Sequence, residues 1–409
     1  MSLLFKLAWR NLWRNKRRSI ITILAIFFAA MLSIAMRGLQ IGTYAVNIEN
    51  AVSLFSGYAQ IQKSGFKENP SLRKTFYLTE ELIQILNSAP HVNGFAPRVY
   101  ADGLVSYKEN SYGSAIFGLV PQKERKVSVL MDRINSGAFF ASDSTNEIVV
   151  GYKLLDNLNA NIGDRIVVLS QGFDGTLGNM IFEIVGTIKT GTTDLDAMAV
   201  FMGLSTLQEL LAMNGRISVI TVSIDDLEVI PEATKKLNGT IREKGLVALT
   251  WEEVMPELKQ MIELDNVSGI LTLAILVIVV AFGILNTVLM SVTERFREFG
   301  VSLAVGMPQF SLVKLVLVET FLMTILGLVI GNIAAAGINY YIVQNPIVFG
   351  GDIADLYQEY GFLPRMESSV KLSIFFNSTV AILIISLLSS VYPLVKVYLL
   401  EPLKGIRYT

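Results

Sequence analysis

Cysteine is absent from the sequence, and histidine occurs once, at His91. The first absence removes disulfides and thiol chemistry from consideration. The second leaves no means of building a His-rich metal site or a serine–histidine pair. His91 follows Ala89-Pro90 and reads as a loop residue. Charge is scarce as well: Asp, Glu, Lys and Arg make up 17% of the chain against 52% hydrophobic residues, and the mean hydropathy is +0.50. That is too apolar for a protein with an ordinary wet surface. No G-x-x-x-x-G-K-[ST], H-E-x-x-H, G-x-S-x-G or G-x-G-x-x-G occurs, so neither a P-loop nor a familiar hydrolase or dinucleotide fingerprint is present. Gly186 to Thr192 superficially suggests a phosphate loop, but threonine stands at 192 where lysine is needed. An enzyme in its own right is not expected, and no metal or cofactor site is expected on this chain.

Four apolar stretches are long enough to cross a bilayer. Residues 1–18 precede the first and carry Lys6, Arg10, Arg14, Lys16, Arg17 and Arg18 with no acid. These cations interleave with leucines and with Trp9 and Trp13 at helical spacing, as in an amphipathic helix lying at a headgroup surface. Basic-then-apolar order is also that of a signal peptide, but the basic region is too long and no small-x-small site precedes a mature start. We therefore expect an uncleaved first span at 19–40, with its basic end in the cytoplasm by the positive-inside rule. The second span is expected at 267–292, the third at 311–343 and the fourth at 371–393, with a charged turn at 293–310, an outer loop at 344–370 and a tail at 394–409. Lys396, Lys404 and Arg407 make that tail basic, which returns it to the cytoplasm. In the third span Glu319 is expected at the interface, and Gly327-x-x-x-Gly331 permits close helix packing.

Residues 41–266 hold no spanning run and must fold outside the membrane, with 27 acidic residues against 19 basic. No basic face interleaved with aromatics stands out, which argues against nucleic acid. Alternating segments predict strands at Tyr58–Gln62, Gly94–Tyr107, Ala115–Val120, Glu147–Gly151, Asn161–Leu169, Ile181–Ile188, Ala197–Met202, Ile217–Ile224 and Val247–Leu249. Helices are predicted at Thr79–Leu86, Tyr152–Leu158, Thr206–Met213 and Pro231–Lys244. The class is mixed α+β. Gly38–Asn50 can extend the first span and Trp251–Asp265 the second, with Pro256 as a kink or restart, so that the two form a stalk.

The most informative stretch is the turn. Gly269 to Ser291 is uncharged, and Glu294, Arg295, Arg297 and Glu298 then appear abruptly. Phe296, Phe299 and Leu303 recur at helical spacing, which gives a second, greasy face. Gly300 and Gly306 allow turning or close approach, and Pro308 stops or restarts a helix. A two-faced helix of this kind suits docking into a partner's groove, with Phe296 and Phe299 as anchors.

The run Thr293-Glu294-Arg295-x-Arg297-Glu298-x-Gly300-Val301-x-x-Ala304-x-Gly306 resembles the coupling helix of the FtsX-like permease superfamily, which includes MacB-type and lipoprotein-releasing LolC/LolE-type ABC transporters. Gly151, Gly163-Asp164-Arg165, Val185-Gly186 and Thr190-Gly191 stand in an order that resembles the MacB periplasmic core. The resemblance implies an integral membrane α-helical protein of four spans, arranged one plus three, with a large extracytoplasmic α+β domain at 41–266. It also implies a multi-pass protein of the bacterial inner membrane with both termini cytoplasmic.

What the resemblance implies for function is a permease subunit that transmits ATPase-driven motion outward, foremost for lipoprotein release. MacB-like export and FtsX-like control of an outer hydrolase are the alternatives. ATP and Mg would sit on a cytoplasmic ABC ATPase dimer contacting Glu294, Arg295, Phe296, Arg297, Glu298, Phe299, Gly300 and Gly306. The other expected partners are a second permease subunit, identical or different, membrane lipid, a lipoprotein substrate and a periplasmic carrier or adaptor. Val46, Leu54, Val267 and Leu271 are expected to line a cavity for substrate acyl chains.

Overall fold

The computed structural model describes residues 3–14, 16–359 and 362–401. Lys404 and Arg407 of the expected basic tail lie outside the described residues. The chain forms two compact units. One contains the residues up to Tyr44, Ile262–Val348 and the chain from Arg365 on; the other contains Ala45–Met261 and Phe349–Pro364.

The first unit is a helical bundle. Its long helices are Lys16–Ala51, Pro256–Glu294, Gln309–Gln344 and Leu372–Tyr398, each long and apolar enough to cross a membrane. Helix is the form that lets a single segment satisfy all its backbone groups in hydrocarbon. A helix of 39 residues such as Pro256–Glu294 runs roughly 58 Å, about twice the hydrocarbon thickness. The first two long helices therefore exceed what a span requires. Pro256 begins its helix and Pro393 lies inside the last one, which continues to Tyr398.

Close approach in the bundle is set by small residues. A Cβ on Gly327 would stand 2.7 Å from Cβ of Ile26, and one on Gly331 would stand 2.7 Å from Cβ of Ala30. The Gly327-x-x-x-Gly331 pair is thus the seat of the first long helix against the third. Polar pairs join the third to the fourth: Thr324 with Ser386 (2.5 Å), and Asn332 donating to Thr379 (3.0 Å). At the other end of the first helix, Arg37 donates to Asn266 (2.6 Å), and Tyr44 donates to Asp265. The second helix buries Ile284, Val288 and Val292 but exposes Ile270, Ile275, Val279 and Phe282.

The second unit is α+β. Its strands are β1 (Ala59–Lys63), β2 (Phe76–Tyr77), β3 (Val92–Tyr107), β4 (Asn110–Leu119), β5 (Ile134–Gly137), β6 (Glu147–Gly151), β7 (Arg165–Gln171), β8 (Leu177–Ile188), β9 (Ala199–Gly203), β10 (Arg216–Ile217), β11 (Val219–Ile224) and β12 (Leu246–Thr250). β12, β1, β11 and the first half of β3 make an antiparallel sheet. The second half of β3 pairs with both β4 and β7, and the succession β3-β4-β9-β6-β8-β7 returns to β3. Those six strands close on themselves. Their inward residues include Val105, Ile116, Ile166, Val168, Phe182 and Ile184, all fully buried. Closure removes free edges. The alternation of buried and open positions along β7 is the pleat that made this strand readable from sequence.

The first long helix ends in this unit as a π-helical turn, Val52–Ser56. The Phe55 carbonyl accepts a hydrogen bond from Arg98 of β3, and the Arg98 guanidinium lies 4.2 Å from the Phe55 ring centroid. Glu124 takes Arg98 in a fork, through Nε (3.1 Å) and Nη2, and neither side chain reaches solvent. Tyr100, Phe117 and Phe201 pack around the same ring.

The helix contact gives a direct prediction. Gly331→Val overpacks against Ala30 and should destabilise the detergent-solubilised protein by about 1–3 kcal/mol, read as a lower thermal midpoint. A Cβ on Gly337 would meet nothing within 4 Å, so Gly337→Val should leave stability within about 1 kcal/mol of the parent. Equal losses at the two positions would show that the glycine pair is not the contact.

Candidate functional site

The second long helix ends at Glu294, and after Arg295 (φ −99°, ψ 6°) a short helix runs Phe296–Ala304. Gly306 follows at φ +101°, a conformation suited to glycine. Pro308 then caps the third long helix, which begins at Gln309.

The short helix has two faces, but its greasy one is turned inward. Phe296 and Phe299 are only 8% and 2% exposed, and they pack in one core with Ile26, Val288, Val292, Leu312, Val316, Leu394 and Val397. Gly300 is buried as well. The expectation that the two phenylalanines anchor a partner's groove is therefore overturned: burying large aromatic rings within the chain's own bundle outweighs leaving them open for a partner. The side left open carries Glu294, Arg297, Glu298, Val301, Ala304 and Val305, with Gly306 beyond it and Phe310 past the proline.

Arg295 is not on that open side either. It is 7% exposed, its Nη1 donates to Glu319 Oε2 at 2.7 Å, and its guanidinium lies 4.9 Å from the Phe299 ring centroid. The other carboxylate oxygen of Glu319 accepts from Asn11 Nδ2 at 2.7 Å. Glu319 is thus buried and paired. A buried ion pair of this kind is held by further bonds to its members: both Glu319 oxygens have them, while Arg295 Nε has no hydrogen bond and lies 3.5 Å from Glu298. Two more bonds run between the N-terminal segment and the turn: Arg14 to Glu298 (2.6 Å), and Arg18 to Glu294. Beside Asn11, Arg18, Arg295 and Glu319 lies a small cavity of about 30 Å³, lined also by Ser19, Thr22, Ser291 and Thr320, roomy enough for a water.

Sequence reasoning missed Asn11, Arg14, Arg18 and Glu319. One signal was available: a lone acid inside an apolar span needs a partner, and the cation that meets it is Arg295 of the turn.

Of the expected cavity residues, Val267 and Leu271 are open, at 54% and 60% exposure. Val46 is half-buried. Leu54 is 3% exposed, held in the π-helical turn beside Phe55. Leu54 therefore belongs to the interior of the α+β unit and cannot line an open cavity. Among the described residues no group of three or more His, Asp or Glu could hold a metal ion.

The geometry separates two kinds of position on the short helix. Phe299→Ala should destabilise the isolated protein by about 3–5 kcal/mol, read as thermal unfolding in detergent with no partner present. Val305→Ala, at a side chain 84% exposed, should change it by less than about 0.5 kcal/mol. An unchanged midpoint for Phe299→Ala would contradict the buried placement.

Residues 270–402 match the FtsX-like permease C-terminal family, and residues 19–240 match the MacB-like periplasmic core domain. The lipoprotein-releasing system transmembrane protein LolC of Neisseria meningitidis serogroup B is 20% identical over 404 residues, covering 93% of this chain and 94% of that protein. The macrolide export ATP-binding/permease protein MacB of Acinetobacter baylyi is 22% identical over 384 residues, covering 91% of this chain and 56% of that longer protein. A crystal structure of the periplasmic region of MacB from Actinobacillus actinomycetemcomitans aligns with 51% of this chain and 94% of its own, at 15% identity and a TM-score of 0.36. With the periplasmic core family matching more than half of the sequence and the permease family most of the remainder, this protein belongs to the FtsX-like permease superfamily and is an ABC transporter permease of LolC/MacB type.

Proposed function

We propose that this chain is the membrane subunit of an ABC transporter that releases lipoproteins from the bacterial inner membrane, working with a separate ATPase and a second permease subunit. The observation that carries the reading is the end-to-end match to a protein named for lipoprotein release, 93% of this chain against 94% of that one. The rival, export of the MacB kind, is favoured by the match of residues 19–240 to the MacB-like periplasmic core domain. The MacB relative is named as both ATP-binding and permease protein, and this chain spans 56% of it. Without a P-loop motif of its own, this chain leaves ATP and Mg to a partner subunit.

In this reading the bundle end bearing the turn is cytoplasmic and the α+β unit lies outside. The ATPase seats on the open side of the short helix. Glu294, Arg297 and Glu298 supply charge there, and Val301 and Val305 supply apolar contact. Arg295, Phe296, Phe299 and Gly300 act from beneath, holding that surface in place. Movement of the short helix would pass to the long helices through the Arg295–Glu319 pair and the shared core. Val267 and Leu271 remain as open apolar positions for a substrate's acyl chains, and a periplasmic carrier or adaptor would receive the cargo.

Two measurements test this. The permease is co-purified with its ATPase and assayed for ATP turnover and lipoprotein release in nanodiscs or proteoliposomes. Val305→Asp and Glu298→Lys should lose the ATPase while the unfolding midpoint is kept; truncating a central interface contact commonly costs about 2 kcal/mol or more. Full turnover with the ATPase retained in both variants would overturn the docking surface. Full turnover without lipoprotein release would favour the export reading.

Orientation is tested separately. Because the chain has no native cysteine, single cysteines report without background. In intact spheroplasts a membrane-impermeant thiol reagent should label Ser142→Cys and spare Val305→Cys. Labelling of Val305→Cys from outside would invert the arrangement.

A further inference from the structure

The N-terminal helix Leu3–Arg14 has a committed side and an open side. Ala8 and Leu12 are buried, and Asn11 holds Glu319 of the third long helix. Opposite them, Lys6, the neighbours Trp9 and Arg10, and Trp13 stand on successive turns of one side and are exposed. Trp9 and Trp13 are 41% and 49% exposed, their rings meeting edge to face at 6.0 Å. Lys16 and Arg17, at the start of the next helix, are exposed too.

Six cations stand in this segment without an acid, and the turn takes two of them, Arg14 and Arg18. Lys6, Arg10, Lys16 and Arg17 make no ion pair among the described residues. Four exposed cations with no ion pair among the described residues, two of them on the helix side that carries two exposed indoles, fit one chemistry well. The indole is amphipathic and favours the headgroup layer, and an unpaired cation there gains from phosphate. An acidic protein could satisfy the charges. It would not explain why this face belongs to a helix packed on a membrane-spanning bundle.

We propose that the outer side of the N-terminal helix is a binding surface selective for anionic phospholipid headgroups. Trp9 and Trp13 seat in the interfacial layer, and Lys6, Arg10, Lys16 and Arg17 meet the phosphates. The same segment grips Glu294 and Glu298 through Arg18 and Arg14, so lipid held on one side steadies the short helix on the other. That consequence, a dependence of turnover on anionic lipid, rests on the transport reading; the binding itself does not.

The test uses the full chain in nanodiscs with no ATPase present. The chain has three tryptophans, and Trp251→Phe leaves Trp9 and Trp13 as the only reporters. Brominated phosphatidylglycerol should quench their fluorescence more strongly than brominated phosphatidylcholine at the same mole fraction. The preference should fall at about 0.5 M salt, where screening shortens the reach of charge. Each cation at an anionic surface contributes up to about fivefold, so Lys6→Gln/Arg10→Gln should weaken the preference by roughly an order of magnitude. If Trp251→Phe does not fold, the native chain read against Trp9→Phe/Trp13→Phe gives the same comparison. Equal quenching by the two lipids overturns the proposal. Absence of quenching by either also overturns it and leaves the face to a protein partner.

Discussion

A carboxylate inside an apolar helix is the constraint on which the end of the bundle depends. Glu319 is 7% exposed, and a buried charge is tolerated only when paired and fully hydrogen-bonded. Its two oxygens are satisfied from two directions, by Asn11 and by Arg295. To deliver those groups, the N-terminal helix must lie against the third long helix, and the second must end at Glu294 so that Arg295 can turn inward. Phe299 then packs under the guanidinium, and Phe296 joins the core. The open surface of the short helix is what remains after these inner demands are met.

A second buried ion pair plays a comparable part in the α+β unit. Arg98 and Glu124 are both sealed from water, and the guanidinium also takes the Phe55 carbonyl at the end of the first long helix. Helix ends leave carbonyls without partners, and a π-helical turn adds to the irregularity. Satisfying that end from a central strand, amid Tyr100, Phe117 and Phe201, ties the helix terminus to the barrel instead of to a surface loop. Both pairs use arginine, whose planar guanidinium stacks on a ring; Arg98 also forks onto Glu124, whereas Arg295 makes a single bond to Glu319.

Much of the architecture was legible in the sequence because its signals are local. Ile20–Met36 and Gly269–Ser291 announce spans by length alone. β11 falls inside the expected Ile217–Ile224, while β7 begins only at Arg165 because Asn161–Asp164 close a turn first. The helix opened by Pro231 in the sequence begins at Ile230 in the structure. The short strands β2, β5 and β10 and the helix Asp352–Glu359 were not foreseen. Each is brief, and its existence depends on a neighbour.

Local pattern alone marks the stretches long enough to cross a membrane, the long stretch between the first two that holds no such run, and a two-faced helix between the second and third. Period and length decide these within a window of a few turns. Which face of that helix turns inward depends on contacts between distant segments. The amphipathic pattern of Phe296 and Phe299 is the same whether a partner or the chain's own core receives them, and the core includes residues as distant as Ile26 and Val397. Arg295 with Glu319, Asn11 with Glu319, Arg98 with Glu124 and the closure of β3 through β7 share that reason. Each joins groups far apart in the chain, and the cost of leaving a buried charge or strand edge unpaired is settled only when the distant partner arrives.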